Sequence, residues 1–459
     1  MSTLFGTMSI ATGALAAEQG ALDATTNNVA NVNTPGYSRL QPVLGESDPV
    51  VMGPITYGTG VSLEKLQSLR DPILQIRIQE ETQQQGQLNS FVSAMQQAQV
   101  QFTSNTGDIG SLISNFFSSL SQLSTDPTSL ALRQGVLTAA GNLATAFNNT
   151  ANAFTQQRSN LDLQVSQDVD QVNVLTTQIA TLNNQISQML GVNQDASALV
   201  DQRDVLIGQL CSLIDVSTIQ SDNGLTLTTS NGTALVVGGQ SFALSTQTSA
   251  SGMQDIYSQG SDITSKITSG ELGGLLQVRD QKIPALLSNL DTLAAGLANA
   301  LNTANKAGFD LNGNAGGNLF VAPPVSGQGA AETMAVAISD PSLIAASSDA
   351  TAPGSNGNVA NLSAAQNQAV AGGQTPTDYY SNIVFGVGND VSNGSAELNS
   401  SQLILNQLQD QRGSISGVSL DEEAANLVQY QRAFDAAAQV ITTINDMLYT
   451  VINMGTYTG

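Results

Sequence analysis

The clearest hydrophobic pattern in the chain is a seven-residue repeat near its C-terminus, sustained over about four heptads. One seam position of each repeat is apolar, and these positions are Leu420, Leu427, Phe434, Ile441 and Leu448. The other seam position is occupied by Tyr430, Ala437, Ile444 and Val451. Ser419, followed three residues later by Glu422, forms a capping box at the start of the repeat. The pattern predicts a long coiled-coil helix that begins just after Ser419.

A weaker stripe with the same spacing lies near the N-terminus. Its apolar positions are Met8, Leu15, Leu22 and Val29, and small or polar residues fill the other seam position. A helix of this composition is marginal alone and needs another element to pack on. We therefore expect the two ends of the chain to pair, so that everything between them leaves and returns like a long hairpin. Two unrelated surface helices are the alternative interpretation.

Further amphipathic stripes between the two ends predict a helical bundle whose helices are not contiguous in sequence. The longest of these helices is expected from Pro127, with Asp126 as its N-cap, to about Leu190. Its stripe contains Val165, Val172, Leu175, Ile179, Leu182, Ile186 and Met189. Shorter stripes cover 88–102 and 275–305.

Residues 216–270 have a different pattern. Apolar and polar residues alternate on both sides of Asn231-Gly232, which is a strong signal for a β-hairpin. This segment is therefore predicted to be a small β-rich domain inserted into the bundle. Residues 310–400 are rich in Gly, Asn, Ser and Ala, and we expect loops and short strands there.

Together these elements predict a mainly α fold with a β insertion. A terminal α-helical coiled coil would join a discontinuous helical-bundle domain and a small β-rich outer domain. The predicted segments are 1–45 for the N-terminal half of the coiled coil, 46–215 for the first part of the bundle, 216–270 for the β-rich insertion, 271–415 for the second part of the bundle including the loop region 310–400, and 416–459 for the C-terminal half of the coiled coil.

Composition narrows the range of functions. The chain has 459 residues, enough for about three domains at roughly 150 residues each. Its 13 basic and 36 acidic residues leave a net charge of −23, which argues against nucleic acids and anionic membranes as partners. Charged residues make up only 11% of the chain, so the surface is expected to be polar and neutral rather than ionic. No apolar run approaches the ~18 residues that a membrane span requires.

The chain lacks most of the residues that catalysis or metal binding uses. It has no His, no Trp and a single Cys, which rules out His-based triads, Cys–His nucleophiles and His/Cys zinc sites. Cys211 lies in an apolar helical run and is predicted to be a buried structural thiol rather than a reactive one. Residues 310–314 match the start of an EF-hand loop, but Ala315 and Val321 replace its Gly and Glu, so a turn is expected. We expect no catalytic residue, no metal and no cofactor.

Four segments of the chain resemble the bacterial flagellar rod, hook and hook-associated proteins. They are NNVANVNTPGYSR at 27–39, LVDQRD at 199–204, SGELGGLLQVRD at 269–280 and SGVSLDEEAANLVQYQRAF at 416–434. Their order along the chain also matches that family. The endings Tyr37-Ser38-Arg39 and Asp421-Glu422-Glu423 are closer to the hook-associated members, which join the hook to the filament, than to rod and hook proteins.

The resemblance implies a structural, non-enzymatic component of the bacterial flagellum. It implies export through the flagellar type III apparatus without a cleaved signal peptide, in keeping with a first basic residue as late as Arg39, and an extracellular location. A cytoplasmic export chaperone would hold the C-terminal segment. Outside the cell, the implied partners are hook protein, hook-associated protein 3 and further copies of the chain in a ring of about eleven subunits. Neither nucleic acid nor membrane is expected as a partner.

The candidate assembly interface consists of the seam positions of both terminal helices and the turn after the first helix. The seam residues are Leu15, Leu22, Val29, Leu420, Leu427, Tyr430, Phe434, Ile441, Ile444 and Leu448, and the turn residues are Asn31, Asn33, Pro35 and Gly36. For the turn, the resemblance implies a lattice contact, whereas the residue types alone suit an ordinary turn that ends a helix. The alternatives for the whole chain are a hook or rod protein, a secreted coiled-coil effector or adhesin, and a glycan hydrolase with paired carboxylates in 216–400.

Overall fold

Long helices at both ends of the chain and a set of inner helices dominate the architecture. The computed structural model describes residues 2–52, 55–103, 108–221 and 224–454. The helices are α1 (Ser2–Ala30), α2 (Pro72–Thr103), α3 (Ile109–Leu123), α4 (Leu130–Gly191), α5 (Ser197–Leu213), α6 (Gly270–Gln277), α7 (Ile283–Lys306), α8 (Val359–Ala364), α9 (Pro376–Ser416) and α10 (Leu420–Met454). The strands are β1 (Leu40–Glu46), β2 (Val50–Met52), β3 (Ile55–Tyr57), β4 (Val61–Ser68), β5 (Ser217–Ser221), β6 (Gly224–Thr228), β7 (Ala234–Val237), β8 (Gln240–Ser241), β9 (Leu244–Thr248), β10 (Gln254–Ser258) and β11 (Ser261–Asp262). The predicted mainly α class with small β-sheets is confirmed.

The two ends of the chain pack against each other, as predicted. Helices α1 and α10 form an antiparallel pair: Asn28 near the end of α1 meets Glu423 near the start of α10, and Glu18 lies close to Tyr430 further along the pair. Together, α1 and α10 bring residues from opposite ends of the sequence into one layer.

Most of the predicted seam of α10 faces α1. Ile444 is buried, and the half-buried seam residues are Leu427, Tyr430, Phe434, Ile441 and Leu448. The two outermost seam positions differ, since Leu420 is 54% exposed and Val451 is 45% exposed. Leu420 is the first residue of α10 and Val451 lies in its last turn, so both fall at the ends of the paired region.

Helix α1 is buried on a broader face than its Leu stripe indicated. Leu15 and Leu22 are half-buried, but Val29 is 40% exposed. The buried apolar positions are small and are Ala11, Ala17, Ala21 and Ala24, and the buried polar positions are Thr25 and Asn28. Strands β1 and β4 cover another side of α1, and a Cβ at Gly20 would overlap the Leu63 side chain of β4. Small residues therefore allow α1 to fit between α10 and the strand pair.

The first part of the predicted bundle begins later than residue 46. Residues 40–68 contain an antiparallel strand pair, in which Leu40 lies opposite Ser68 and Glu46 opposite Val61. A bulge interrupts the register between Val43 and Leu44. The first inner helix, α2, begins only at Pro72. The short alternating run of β4, VSLEKLQS, is the sequence signal for this strand pair.

The inner helices pack around a continuous apolar core. The predicted stripe of α2 is confirmed, because Leu88, Val92, Met95 and Phe102 are all buried. The 62-residue helix α4 is also present but begins at Leu130 rather than at Pro127. Its cap is Ser129, whose hydroxyl accepts the backbone N–H of Leu132. Asp126 instead accepts the N–H of Thr128 and closes a turn just before the helix.

The prediction of loops and short strands over 310–400 is wrong in its last quarter. Residues from Pro376 onward belong to the 41-residue helix α9, whereas 307–375 is largely irregular with short helical turns. Thr375 caps α9 by accepting the N–H of Asp378. The interior glycines of α9 had suggested a loop, but Gly394 faces Phe91 and Val92 of α2, where a side chain would crowd the contact.

The predicted β insertion is present. Strands β5, β6, β7 and β8 form one antiparallel sheet in that order, and β11, β10 and β9 form another. The turn between β6 and β7 contains Asn231-Gly232, with Gly232 at φ +88° as a tight hairpin requires. Asn173 of α4 exchanges two hydrogen bonds with the backbone of Leu244, which fixes the second sheet to the long helix. No helix in the described ranges is long and apolar enough to cross a membrane.

Candidate functional site

The turn after α1 is closed by its own hydrogen bonds. The N–H of Thr34 donates to the Asn31 carbonyl, and the N–H of Tyr37 donates to the Thr34 carbonyl. Asn33 and Pro35 are exposed, whereas Asn31 is half-buried and its amide donates back to Asn27. These bonds give Asn31 a local role in ending the helix.

Gly36 is the point at which this turn touches the inner helices. Its φ of +80° lies in the left-handed region, and a Cβ there would overlap the Val205 side chain of α5. Its carbonyl accepts a hydrogen bond of 3.0 Å from Nη2 of Arg412, near the end of α9. The geometry therefore requires glycine at this position for packing within the chain.

Three of the four segments that resemble flagellar proteins meet at the base of the terminal helix pair. The polar residues that connect them, here called the base cluster, are Asn28, Ser38, Arg39, Arg70, Asp201, Arg412 and Glu423. Ser38 donates to Asp201 through its backbone N–H at 3.0 Å and through its hydroxyl at 2.8 Å. Nη2 of Arg70 lies 2.8 Å from Asp201 Oδ1. Asp201 of α5 thus binds the chain at two points, at Ser38 just before β1 and at Arg70 just after β4.

Arg39 links the base of the pair to both α9 and α10. Its Nη1 lies 2.6 Å from Glu422 and its Nε lies 2.7 Å from Glu423. Its backbone N–H donates to the carbonyl of Ser416 at 2.9 Å. Glu422 was predicted as the reciprocal partner in a capping box, and its N–H does donate to the Ser419 hydroxyl at 3.5 Å. Its carboxylate, however, pairs with Arg39 instead.

Asn28 joins the same network from the side of α1. Its side-chain NH₂ donates to Glu423 at 3.1 Å and to the Leu40 carbonyl at 2.9 Å, and its side-chain Oδ1 accepts the Leu40 N–H. The Tyr37 hydroxyl donates to Asn28 Oδ1 at 2.8 Å. Burial, together with the Asp201 and Glu423 carboxylates, raises the pKa of Tyr37 to about 12. The phenol is therefore a permanent donor at neutral pH.

The fourth segment, 269–280, lies away from the base cluster and supports the bundle. Gly274 of α6 sits against the backbone of α2, and a Cβ there would overlap Ser90 and Gln87. Arg279 is fully buried, with Nη1 2.7 Å from Asp162 and Nη2 2.8 Å from Asp280. Close helix packing and a buried ion pair explain why these residue types occur in this segment.

The terminal helix pair also carries apolar side chains outside its seam. The exposed ones are Phe5, Ile10, Val428, Val440, Met447, Tyr449 and Ile452. Tyr449 is the most exposed of them at 71%. Sequence reasoning missed these residues because the heptad repeat directed attention to the seam. A surface of this kind is typical of a protein–protein contact.

The residues that the sequence offered as candidates for reactivity or metal binding have structural roles in the fold. Cys211 is fully buried beside Gln83, and burial raises the pKa of its thiol to about 12, as expected for a structural cysteine. Asp310 accepts the N–H groups of Asn312 and Asn314, so the stretch that resembled an EF-hand loop forms the expected turn. In the described part of the chain, no group of three or more His, Cys, Asp or Glu side chains is placed to hold a metal.

Comparison with known proteins agrees with the order of the four segments. Residues 79–320 match the sequence model of the flagellar hook-associated protein FlgK helical domain. Residues 8–37 match the flagella basal body rod protein model, and residues 411–454 match the flagellar basal body rod FlgEFG protein C-terminal model. The two rod-type models therefore match the terminal helices, and the helical-domain model matches the centre.

Whole-chain relatives give the same assignment. The chain is 28% identical to flagellar hook-associated protein 1 of Bacillus subtilis (strain 168), over 99% of each chain. It is 26% identical to flagellar hook-associated protein 1 of Escherichia coli (strain K12), over 96% of this chain and 98% of the relative.

A solved structure shows the same fold. The flagellar hook junction protein FlgK from Burkholderia pseudomallei superposes with a TM-score of 0.66 at 19% identity, covering 74% of this chain and 100% of that one. The helical-domain model alone spans more than half of the present sequence. The chain therefore belongs to the flagellar hook-associated protein FlgK family, and its role in the flagellum is structural, at the junction between hook and filament.

Proposed function

We propose that copies of this chain assemble into the junction through their terminal helix pairs. The observation that supports this proposal is the division of α1 and α10 into two apolar surfaces. The seam surface is covered within the chain, and the outer surface, which includes Tyr449 and Ile452, is exposed. Burial of an exposed apolar surface between neighbouring copies favours association.

The assembly interface in this proposal contains both the seam and the outer surface. The seam residues Leu15, Leu22, Leu427, Tyr430, Phe434, Ile441, Ile444 and Leu448 shape the pair, and the exposed residues Val29 and Leu420 join the outer surface. Asn33 and Pro35 are exposed on the turn and available to a neighbour, whereas Asn31 and Gly36 act mainly within the chain. Segments 1–45 and 416–459 would be the assembling part, with 46–215, 216–270 and 271–415 outside it.

Ordering of the terminal pair is proposed to be coupled to assembly. The buried apolar residues of α1 are alanines and its stripe leucines are only half-buried, so the helix buries little apolar area for each turn. A pair of this kind is marginal in a single copy and gains stability when neighbours cover its outer surface. Because the pair is only marginally stable in a single copy, it can also stay unfolded during export through the flagellar type III apparatus.

The proposed partners follow the same reasoning. Without α1, the seam of α10 would be exposed in the cytoplasm, and an export chaperone at the C-terminal segment would cover it. Outside the cell, the chain would contact hook protein on one side and hook-associated protein 3 on the other, in a ring of about eleven copies. The net charge of −23 offers no attraction to nucleic acids or anionic membranes.

The experiment compares variants in a strain that lacks the gene. Phe434→Asp places a charge in the seam, and Tyr449→Asp places one on the outer surface. Thr442→Asp is the matched control, since Thr442 is an exposed polar residue of the same helix. We expect both test variants to leave bare hooks, seen by electron microscopy, with flagellin shed into the medium.

Each outcome has a definite meaning. Attached filaments with Phe434→Asp would contradict the role of the seam, and attached filaments with Tyr449→Asp would contradict the role of the outer surface. Missing hooks in the deletion strain would indicate a hook or rod protein instead. Circular dichroism of the purified variants should show the inner helices still folded, because neither substitution lies in the bundle core.

A further inference from the structure

Asparagine is followed directly by glycine at five places in the chain. Glycine has no side chain to shield its backbone nitrogen, so this nitrogen can approach the side-chain carbonyl of the preceding asparagine closely. Four of the five pairs lie entirely within the described ranges, and their asparagines are Asn231, Asn312, Asn356 and Asn393. All four asparagines are exposed, so the hydrogen bonds that each side chain forms are what distinguish them.

Three of these asparagines are held in place by the fold. Oδ1 of Asn231 accepts the N–H of Thr233 at 3.2 Å and the Thr233 hydroxyl at 2.7 Å. The side-chain NH₂ of Asn356 donates to the Ser124 carbonyl at 2.8 Å. Asn393 lies inside helix α9, where the backbone nitrogen that follows it belongs to a regular helical turn. In each case a contact must break before the side-chain carbon can reach that nitrogen.

Asn312 lacks such a restraint on its side chain. Its backbone N–H donates to Asp310 Oδ1 at 2.8 Å, but among the described residues its side chain forms no hydrogen bond. The following residue, Gly313, has a φ of +81° and donates its N–H to the Asp310 carbonyl at 3.1 Å. In the described part of the chain, this turn bond is the one contact that a reaction between the Gly313 nitrogen and the Asn312 side chain has to break.

We propose that Asn312 is a modification site, at which the side-chain amide is lost to water without an enzyme. The backbone nitrogen of Gly313 attacks Cγ of Asn312, so that a new C–N bond forms and the bond from Cγ to the amide nitrogen breaks. The amide nitrogen takes the proton of the Gly313 N–H and leaves as ammonia. Water, the sole co-reactant, then opens the cyclic imide at either carbonyl, which gives an aspartate or an isoaspartate at this position.

The reaction changes both the charge and the backbone of this turn. Each event takes the net charge of the chain from −23 to −23 − 1 = −24, in a turn that already contains the Asp310 carboxylate. An isoaspartate also adds a methylene group to the main chain. The turn is closed by the Asp310 N–H, which donates to the Asn314 carbonyl at 2.8 Å, and by the Leu311 N–H, which donates to the Ser342 carbonyl at 3.0 Å. We expect the isoaspartate form to lose these two bonds.

Peptide mapping by mass spectrometry tests the site on the purified full-length chain, kept folded in mildly alkaline buffer for several weeks. Each modified asparagine gains about 1 Da. We expect modification at Asn312 to be several-fold faster than at Asn231, Asn356 or Asn393, because no side-chain hydrogen bond or helical turn has to break first. In guanidinium chloride the four rates should become similar, since the contacts that separate them are lost. Equal rates in the folded chain, or a faster rate at any of the other three, would overturn the assignment.

Two variants serve as controls. Asn312→Gln should stop the reaction at this position, because the longer side chain has to close a larger ring. Thr233→Val removes the 2.7 Å hydrogen bond to Asn231, so the rate at Asn231 should rise while the rate at Asn312 stays the same. An unchanged rate at Asn231 would show that side-chain hydrogen bonds do not set the order of reactivity, and would contradict the reasoning. These measurements use the single chain, so their result is independent of the proposed assembly.

Discussion

Two adjacent glutamates at the start of α10 provide a matched test of the base cluster. Both pair with Arg39, yet the Glu422 side chain is 62% exposed and the Glu423 side chain is 1% exposed. Glu423 also accepts from Asn28, whereas Glu422 lies at the surface. Replacing each by Gln changes one charge and almost no volume, so burial is the main difference between the two variants.

The expected losses of stability differ clearly between the two variants. In Glu423→Gln, an amide NH₂ would face the Arg39 Nε–H or the Asn28 amide, so a buried donor would be left opposite another donor. Loss of a buried carboxylate that pairs with Arg39 and accepts a hydrogen bond from Asn28 should lower the stability of the terminal pair by about 2–4 kcal/mol. The exposed pair of Glu422 is screened by water, and its loss should cost about 0–1 kcal/mol.

Hydrogen–deuterium exchange followed by mass spectrometry measures this difference locally. Amides of α1 and α10 should exchange much faster in Glu423→Gln and almost unchanged in Glu422→Gln, while amides of α4 stay protected in both. A double variant with Arg39→Gln should be less stable than Glu423→Gln alone by no more than the about 0–1 kcal/mol of the remaining Arg39–Glu422 pair, because the interaction with Glu423 has already been lost. Equal effects of the two glutamate variants would show that the base cluster does not hold the pair.

Three further tests address the bundle. Gly274→Ala should lower the free energy of unfolding by about 1–3 kcal/mol, because the added methyl group meets the backbone of α2. Gly135 has open space around it, so Gly135→Ala should raise the free energy of unfolding by about 0.5–1 kcal/mol. Urea unfolding measures both. Arg279→Met should lower the stability of the chain by about 3 kcal/mol, measured by calorimetry. Lys282 forms an ion pair with Asp390 that is about one-third exposed, so Lys282→Met should lower stability by less than about 1 kcal/mol. Equal losses would contradict the role of burial. Burial and the nearby Glu271 raise the pKa of Asp168 from 3.8 to about 7. The folded chain therefore keeps a proton that the unfolded chain releases, so stability falls as pH rises from 3.8 to about 7, and Asp168→Asn should be more stable than the wild type at pH 8, by up to about 4 kcal/mol, but not at pH 4.

Local periodicity explains which parts of the fold could be predicted from the sequence. The repeat through Leu427, Phe434 and Ile441 defines one face of one helix, and the structure places that face against α1. The stripe through Val92 and Met95 similarly identifies the buried side of α2. Each of these patterns is complete within a few turns of chain, so no knowledge of distant residues is needed.

The errors arise where tertiary contacts override local preference. Helix α9 contains glycines that disfavour a helix, yet Gly394 fits against Phe91, and this packing favours the helix. The strand pair at 40–68 is stabilised by its contact with small residues of α1, a feature that its own sequence does not show. In both cases the deciding partner lies elsewhere in the chain.

The base cluster is a stronger example of the same limit. Ser38 and Asp201 are separated by 163 residues, and Arg39 and Glu422 by 383. The resemblance placed these residues in family segments but gave no indication that the segments meet. The outer apolar surface of α10 was missed for a different reason, since its residues lie off the seam that the heptad repeat defines.

Helix α4 offers a consequence for how relatives of this chain can change. Its 62 residues form a strut of roughly 93 Å. Arg133 and Asn148 in its first half fasten the irregular region after α7, and Asn173 in its second half fastens a β-sheet. These peripheral parts depend on one rigid helix rather than on the terminal pair. Peripheral loops can thus be lengthened, shortened or replaced by reporter sequences without moving the residues of the terminal pair and the base cluster. The turn at Asn231-Gly232 is therefore a suitable place to insert a label.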